Sequence, residues 1–426
     1  MNQDISPGNR NASCQDDFDP NSISVNEAHR LISAIVSTVI ETETIKIRHA
    51  LNRTLASDVL STVNVPPQTN SAMDGYGLKF DDLDAKKPSQ LKIIGVAYAG
   101  KPFEGEISSG ECIRIMTGAV VPESIDTVVM QEHTEVSSDI LTILGHHNKG
   151  QNIRLYGEDL RIGEAALTKG TLLKPTDIGI IASLGIGSIQ VYRRAKAAVF
   201  STGDELKNIG ETLEKGQIYD SNRYTLINLL ENLGIEITDM GILRDDPDVI
   251  QKAFLTAKNS YDILITSGGV SVGDADYVKQ TLDSLGEVSF WKIAMKPGRP
   301  LAVGKIGNTL FFGLPGNPVS TTVTFYQIVQ PALRQLMGQN ETSVPTLRMK
   351  SHSKLKKRPG RVEFQRGIVT QDENGEYCVK STGNQGSHVL SSMNDANCFI
   401  ILDEDCGNVE EGSYVEIQPF RGIIGL

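Results

Sequence analysis

The sequence predicts a multidomain α/β protein, and three observations carry that prediction. From Ala195 to about residue 344, short apolar runs alternate with helical patterns, the grammar of a doubly wound sheet. From Leu91 to about His147 the runs are short, β-type and separated by glycines, which marks a small β-rich domain. After about Thr346 the helical patterns stop and strand-like runs succeed one another, as in a small barrel or sandwich.

Composition agrees with a folded, soluble chain. The 426 residues suggest roughly three domains at about 150 residues each. Hydrophobic content of 39% and charged content of 22% are ordinary for a globular protein. No apolar run approaches the roughly 20 residues of a membrane span, and the amino-terminus lacks a basic, apolar signal segment. A cytoplasmic protein with no membrane partner is expected. Cys14, Cys112, Cys378, Cys398 and Cys406 form no C-x-x-C pair, so neither a disulfide framework nor a zinc site is indicated. The net charge of -11 argues against general nucleic-acid affinity, yet leaves room for a small anionic ligand held by local lysines and a metal.

In chain order, Met1 to about Asn21 is polar and aperiodic and reads as a disordered tail. Ser24-Val25-Asn26-Glu27 has the form of a capping box, and Ala28, Leu31, Ile32 and Ile35 follow at helical spacing. Pro66-Pro67 halts regular structure and opens the turn-rich stretch Gln68 to Gly77. In the β-rich part, runs fall at Leu91 to Val96, Cys112 to Met116, Thr127 to Met130 and Leu141 to Leu144, and Thr117 follows one of them as an exposed hydroxyl. Arg154, Glu158 and Asp159 mark a second turn cluster, and Pro175 suits the first turn of a helix.

The α/β part opens with a strand at Ala197 to Phe200, leading into Ser201-Thr202-Gly203-Asp204-Glu205. A helix from Ser221 carries Leu226, Leu229, Leu230 and Leu233, and a strand at Ile235 to Met240 runs into Arg244-Asp245-Asp246-Pro247. Asp262 to Ile265 is short enough for a buried parallel strand. At its carboxyl end, where open α/β sheets bind ligands, lies Thr266-Ser267-Gly268-Gly269-Val270-Ser271-Val272-Gly273-Asp274-Ala275-Asp276-Tyr277. Its glycines and hydroxyls allow backbone N–H groups near an anion, and Asp274 and Asp276 would tolerate that anion only across a cation. Such a loop suits phosphate plus a divalent ion; as a plain tight turn it would need no ligand. A strand near Ser289 to Ile293 follows, then Thr309 to Phe312, Leu314-Pro315-Gly316-Asn317-Pro318 and a long apolar helix.

Lys292 and Lys296 could converge on one anion across the bend to Pro300, or form a solvated basic turn. In the last part, runs at Leu347 to Ser353, Val362 to Val369, Tyr377 to Lys380, Cys398 to Leu402 and Ser413 to Gln418 read as strands. Arg366 and Ser387 are candidates to complete an anion cup, arginine by forked hydrogen bonding and serine as a neutral donor, although either could be structural.

Taken in order, these stretches resemble the molybdopterin molybdenumtransferase family, whose members include the E domains of gephyrin and its plant counterpart. The carriers are Pro66-Pro67 with Ser71-Ala72-Met73-Asp74-Gly75-Tyr76, Arg114 to Ala119, Gly157-Glu158-Asp159, Ser201 to Leu206, Ser267 to Asp276, Lys296 to Pro300, Leu314 to Pro318 and Gln385-Gly386-Ser387-His388. The resemblance implies a split elongated domain (22–62 and 160–193), a β-rich insertion domain (63–159), a doubly wound α/β molybdopterin-binding domain (194–344) and a carboxyl-terminal small β-barrel domain (345–426), after a tail at 1–21. It further implies a homodimer whose site combines residues of both subunits. The implied activity is insertion of molybdate into adenylylated molybdopterin with Mg2+-dependent hydrolysis of the adenylate, giving molybdenum cofactor and AMP.

Carried over residue by residue, the resemblance places Asp74, Thr117, Asp159, Glu205, Asp245 and Asp276 around the chemistry. It gives Gly268, Gly269, Ser271, Gly273, Pro315, Gly316 and Asn317 to the pterin, and Lys292, Lys296, Arg366 and Ser387 to molybdate. Metal binding would fall among Glu205, Asp245, Asp274 and Asp276. Gly77 stands where alanine is common in the family, and no adenylyltransferase-type α/β domain is fused, so a separate molybdopterin adenylyltransferase is expected to supply the substrate. Three rival readings are an adenylyltransferase, a non-enzymatic scaffold or receptor-anchoring protein of the gephyrin type, and a dinucleotide oxidoreductase. The appendages count against the first and the intact site positions against the second. The loop's departure from G-x-G-x-x-G spacing counts against the third.

Overall fold

A computed structural model describes residues 19–84, 86–244, 246–258, 260–268, 287–340 and 344–420. The expected tail before Asp19 lies outside them, as do Asp245 and the loop from Gly269 to Asp276. Among the described residues three six-stranded sheets carry the chain, joined by short two-stranded ladders. No helix among the described residues is long and apolar enough to cross a membrane.

The first helix is Val25–Ile35, and Ser24 caps it by accepting the Glu27 amide at 3.1 Å. Only half of the capping box forms, because the Glu27 carboxylate turns to Arg30 at 2.6 and 2.8 Å. Ala28 and Ile32 are buried in the same core as Leu333 and Leu336, so this helix covers the α/β sheet. Further on, Thr42–Lys46 pairs antiparallel with Ser188–Tyr192, and Val59–Leu60 with Ala165–Leu167. These ladders close the long excursion between them and share a core of Ala50, Leu55, Leu173, Ile181 and Val191. Inside the excursion stands one sheet in the order Thr127–Met130, Gly75–Leu78, Glu111–Ile115, Ser89–Ala97, Ile140–Ile143, Thr134–Ser137.

The α/β sheet runs in the order Glu236–Leu243, Lys196–Thr202, Ile263–Ser267, Thr309–Leu314, Pro300–Ile306, Glu287–Lys292. The first four strands are parallel, Pro300–Ile306 runs against them, and the edge strand Glu287–Lys292 is antiparallel to that one in turn, so the doubly wound sheet has one reversed strand next to its edge. Alternation along the strands sorts side chains to two faces. Ala197, Val199, Ile263, Ile265, Leu310 and Phe312 join the larger core, whereas Ala198, Phe200, Leu264 and Phe311 join a smaller one with Phe254. There Phe254 meets Phe200 and Phe311 edge-on, with centroids at 5.9 and 5.4 Å.

The expected long apolar helix is three pieces: Pro318–Thr324, a π-turn at Phe325–Val329, and Gln330–Leu336. Pro331 has no N–H to return to the carbonyl four residues earlier, that of Gln327. His29 Nε2 donates to that carbonyl instead, at 2.6 Å. The last sheet is a closed five-stranded barrel, running Val362–Gln371, Tyr377–Ser381, Leu347–Ser351, Tyr414–Pro419, Cys398–Leu402 and back to the first. Met295–Lys296, leaving the α/β sheet, adds in parallel beside Val362 and Glu363.

Candidate active site

The order of the parallel strands sets the place. The chain leaves Lys196–Thr202, adds Glu236–Leu243 on one side and then crosses to add Ile263–Ser267 on the other. Connections thus diverge at the carboxyl ends of the first and third of these strands, which opens a crevice there. Gly268 lies in it with φ of 88°, and a β-carbon at that position would stand 2.6 Å from the Thr202 carbonyl. Only glycine meets both demands. Thr202 Oγ1 is buried beside it without a hydrogen-bond partner among the described residues.

Polar contacts brace the neighbouring loop from Leu314 to Pro318. The Gly268 amide donates to Leu314 O at 3.1 Å, and Ser267 Oγ lies 3.5 Å from Pro315 O. Asn222 Nδ2 donates to Ser267 Oγ at 2.8 Å and to Gly316 O at 2.7 Å. Thr321 Oγ1 shares one proton between Pro315 O at 2.5 Å and Asn317 O at 3.0 Å. Pro315 is buried, while Gly316 and Asn317 remain exposed. Glu205 is exposed on the adjacent loop, its carboxylate lying against Gly203.

Two further loops reach this edge. Gly298, with φ of 101°, rests on the helix Pro318–Thr324 so closely that a β-carbon would fall 2.4 Å from Thr324 Oγ1. That contact fixes the Lys296 to Pro300 bend beside the crevice. From the barrel, the Ser387 carbonyl accepts the Val319 amide at 3.1 Å. Arg366 stands behind the Ser387 loop at 1% exposure. Its Nε donates to Ser392 Oγ at 3.0 Å, and one terminal nitrogen donates to Asn384 O and Gly386 O at 3.3 and 3.1 Å. Gln385 clamps its backbone on both sides, at 2.7 and 3.1 Å. Burial pulls the guanidinium down to about 10, still charged at neutral pH.

The two lysines do not share one counter-charge. Lys292 Nζ lies 3.9 Å from Asp19, which also pairs with Arg299, whereas Lys296 Nζ lies 3.1 Å from Glu363. Asp19 falls inside the stretch read as tail, and its pairing ties the chain's early part to this bend. Glu363, Asn222 and Asp19 were not singled out by the sequence, because their roles arise only from tertiary contact. Gln385 stood within a motif, but its clamp on Arg366 was not legible.

The remaining candidates gather on turns of the excursion. Asp74 accepts from the Thr117 amide at 2.8 Å and from Thr117 Oγ1 at 2.7 Å. These two bonds hold its carboxyl below the usual carboxylate range. Thr117 is exposed, as expected. The loop bearing Asp159 is stitched to the same turn, with Gly157 N donating to Pro66 O at 3.0 Å and Tyr156 N to Thr69 Oγ1 at 3.2 Å. The structure therefore brings Glu205, Gly268, Pro315 to Asn317, Lys296, Arg366 and Ser387 to one edge, and Asp74, Thr117 and Asp159 to another. No hydrogen bond or ion pair among the described residues links the two groups within one chain. Nor does any group of three or more His, Cys, Asp or Glu side chains gather among them to hold a metal ion. Of the four expected metal ligands only Glu205 is described, since Asp245, Asp274 and Asp276, like Gly269, Ser271 and Gly273, lie outside the described residues.

Comparison with known proteins gives the family. Residues 23–185 match the MoeA N-terminal region (domain I and II), residues 198–335 a probable molybdopterin binding domain, and residues 348–420 the MoeA C-terminal region (domain IV). A molybdopterin molybdenumtransferase of Haemophilus influenzae is 46% identical over 387 residues, which are 90% of this chain and 95% of that one. Gephyrin of Dictyostelium discoideum is 32% identical across 88% of this chain and 59% of its own. The crystal structure of a molybdopterin biosynthesis moeA protein from Pyrococcus horikoshii superposes with a TM-score of 0.80 at 29% identity, covering 94% of this chain and 100% of that one. The chain belongs to the molybdopterin molybdenumtransferase family.

Proposed function

We propose that the protein inserts molybdate into adenylylated molybdopterin and releases molybdenum cofactor and AMP. The observation that carries this reading is Arg366, a buried guanidinium with no carboxylate partner among the described residues, set behind a loop that reaches the strand-edge crevice. An uncompensated buried cation is costly, and a bound dianion would offset that cost. In this reading Lys296, Lys292 and Ser387 supply donors to molybdate from the open side. Arg366 supplies positive charge and holds the loop in shape.

Gly268 and the braced loop at Pro315, Gly316 and Asn317 then form the wall for the pterin, to which the family resemblance also assigns Gly269, Ser271 and Gly273. The exposed Gly316 and Asn317 and the Thr202 hydroxyl, without a partner among the described residues, offer polar groups to a ligand there. The carboxylates Glu205, Asp245, Asp274 and Asp276 have the hard oxygen chemistry that suits Mg2+, which when bound would neutralise charge on the pyrophosphate. Asp74, held ionised by Thr117, and Asp159 belong to the same chemistry but sit on the other edge. We therefore take the working unit to be a homodimer in which the excursion sheet of one subunit faces the crevice of its partner. The adenylylated substrate comes from a separate adenylyltransferase.

The test is an assay of the purified protein with adenylylated molybdopterin, magnesium and molybdate. AMP and molybdenum cofactor are expected to appear together, and only with all three present. Binding of a partner peptide without any metal insertion would instead favour a scaffold.

A further inference from the structure

Glu363 has no role in the reading above, yet it is the residue that Lys296 touches. Its side chain is only 5% exposed and that of Lys296 is 48% exposed, so the pair is rooted on the barrel side and open on the crevice side. Both carboxylate oxygens are committed. Oε1 accepts from Lys296 Nζ at 3.1 Å, and Oε2 accepts from Gln365 Nε2 at 2.9 Å. Gln365 is fixed in turn by donating to Lys356 O at 2.9 Å. The backbones are also locked, since Lys296 is in parallel register with Glu363 and the Val362 amide donates to Ala294 O at 2.9 Å. A carboxylate held at both oxygens cannot follow a moving lysine, so the lysine must come to it.

A lysine ammonium has three N–H donors on a flexible stem, and that freedom is lost whenever it binds an anion. Glu363 takes one donor and leaves two for the crevice. Resting on the assignment of Lys296 to molybdate, we propose that Glu363 is a positioning residue that fixes this ammonium before the oxyanion arrives. It touches neither substrate nor pterin and acts only through Lys296. The same strand carries Arg366 three residues later, so one barrel strand sets the place of both cations.

Two conservative variants separate reach from charge. Glu363→Asp keeps the charge but withdraws the carboxylate by one methylene, while Glu363→Gln keeps the reach and an acceptor oxygen. The molybdate concentration giving half-maximal AMP release is expected to rise about threefold or more in Glu363→Asp, with the saturated rate within about twofold, and to stay within about twofold in Glu363→Gln. In a Lys296→Ala background Glu363→Asp should add nothing, because the route is through that ammonium. The proposal is overturned if Glu363→Asp leaves the molybdate dependence unchanged, if Glu363→Gln is impaired as much as Glu363→Asp, or if the effect persists without Lys296. If Lys296→Ala alone leaves the molybdate dependence unaltered, the assignment of Lys296 fails, and the role of Glu363 falls with it.

Discussion

At the scale of single residues, the contrast between Asp74 and Arg366 shows how environment assigns work. Thr117 gives two hydrogen bonds to one oxygen of Asp74, first from its amide and then from its hydroxyl, and both favour the carboxylate. A folded-state value below the unfolded one means that this interaction supports the fold above the unfolded carboxyl range and fades as pH falls through the folded value. Removing only the hydroxyl, in Thr117→Val, should move the Asp74 midpoint upward while the amide bond remains. Carboxyl NMR titration reads this directly, and an unmoved midpoint would show that the hydroxyl bond has no part in holding the charge. The sequence could nominate Asp74 and Thr117 because they stand in quotable motifs, and Arg366 only as a forked donor near a polar loop. It could not show that Arg366 is buried and spends donors on its own loop, since that depends on how strands far apart in sequence close the barrel.

At the scale of elements, the helix after Pro318 shows a local rule met by a distant partner. Proline at position 331 strands the Gln327 carbonyl, the chain answers with a π-turn, and His29 from the first helix supplies the missing donor. His29→Ala should cost about 1–2 kcal/mol by leaving that acceptor unpaired, measured by urea unfolding. Unchanged stability would mean that water replaces the imidazole without loss. Apolar periodicity made the parallel strands and the helix of this region legible. The antiparallel strand Pro300–Ile306 was not, because the stretch up to Pro300 read only as a bend for an anion or a solvated basic turn. The capping box likewise read true at Ser24 and false at Glu27, where Arg30 one turn on competes for the carboxylate.

At the scale of the whole molecule, the candidate site residues fall at two separated edges of one chain. The crevice of the α/β sheet holds Gly268, the braced proline loop and the basic rim, while turns of the excursion hold Asp74, Thr117 and Asp159. Sequence order hid this separation, since motifs along a chain carry no record of which lie across a gap. The proposed symmetric dimer, by swapping edges between subunits, would reunite them, and mixing inactive variants tests it. Asp74→Ala and Lys296→Ala spoil opposite edges, so in a mixed dimer one site carries both defects and the other carries none. After subunit exchange, cofactor formation is expected to recover to about a quarter of the wild-type rate from two nearly inactive proteins. No recovery, with mixed dimers demonstrably present, would contradict a site built from both subunits.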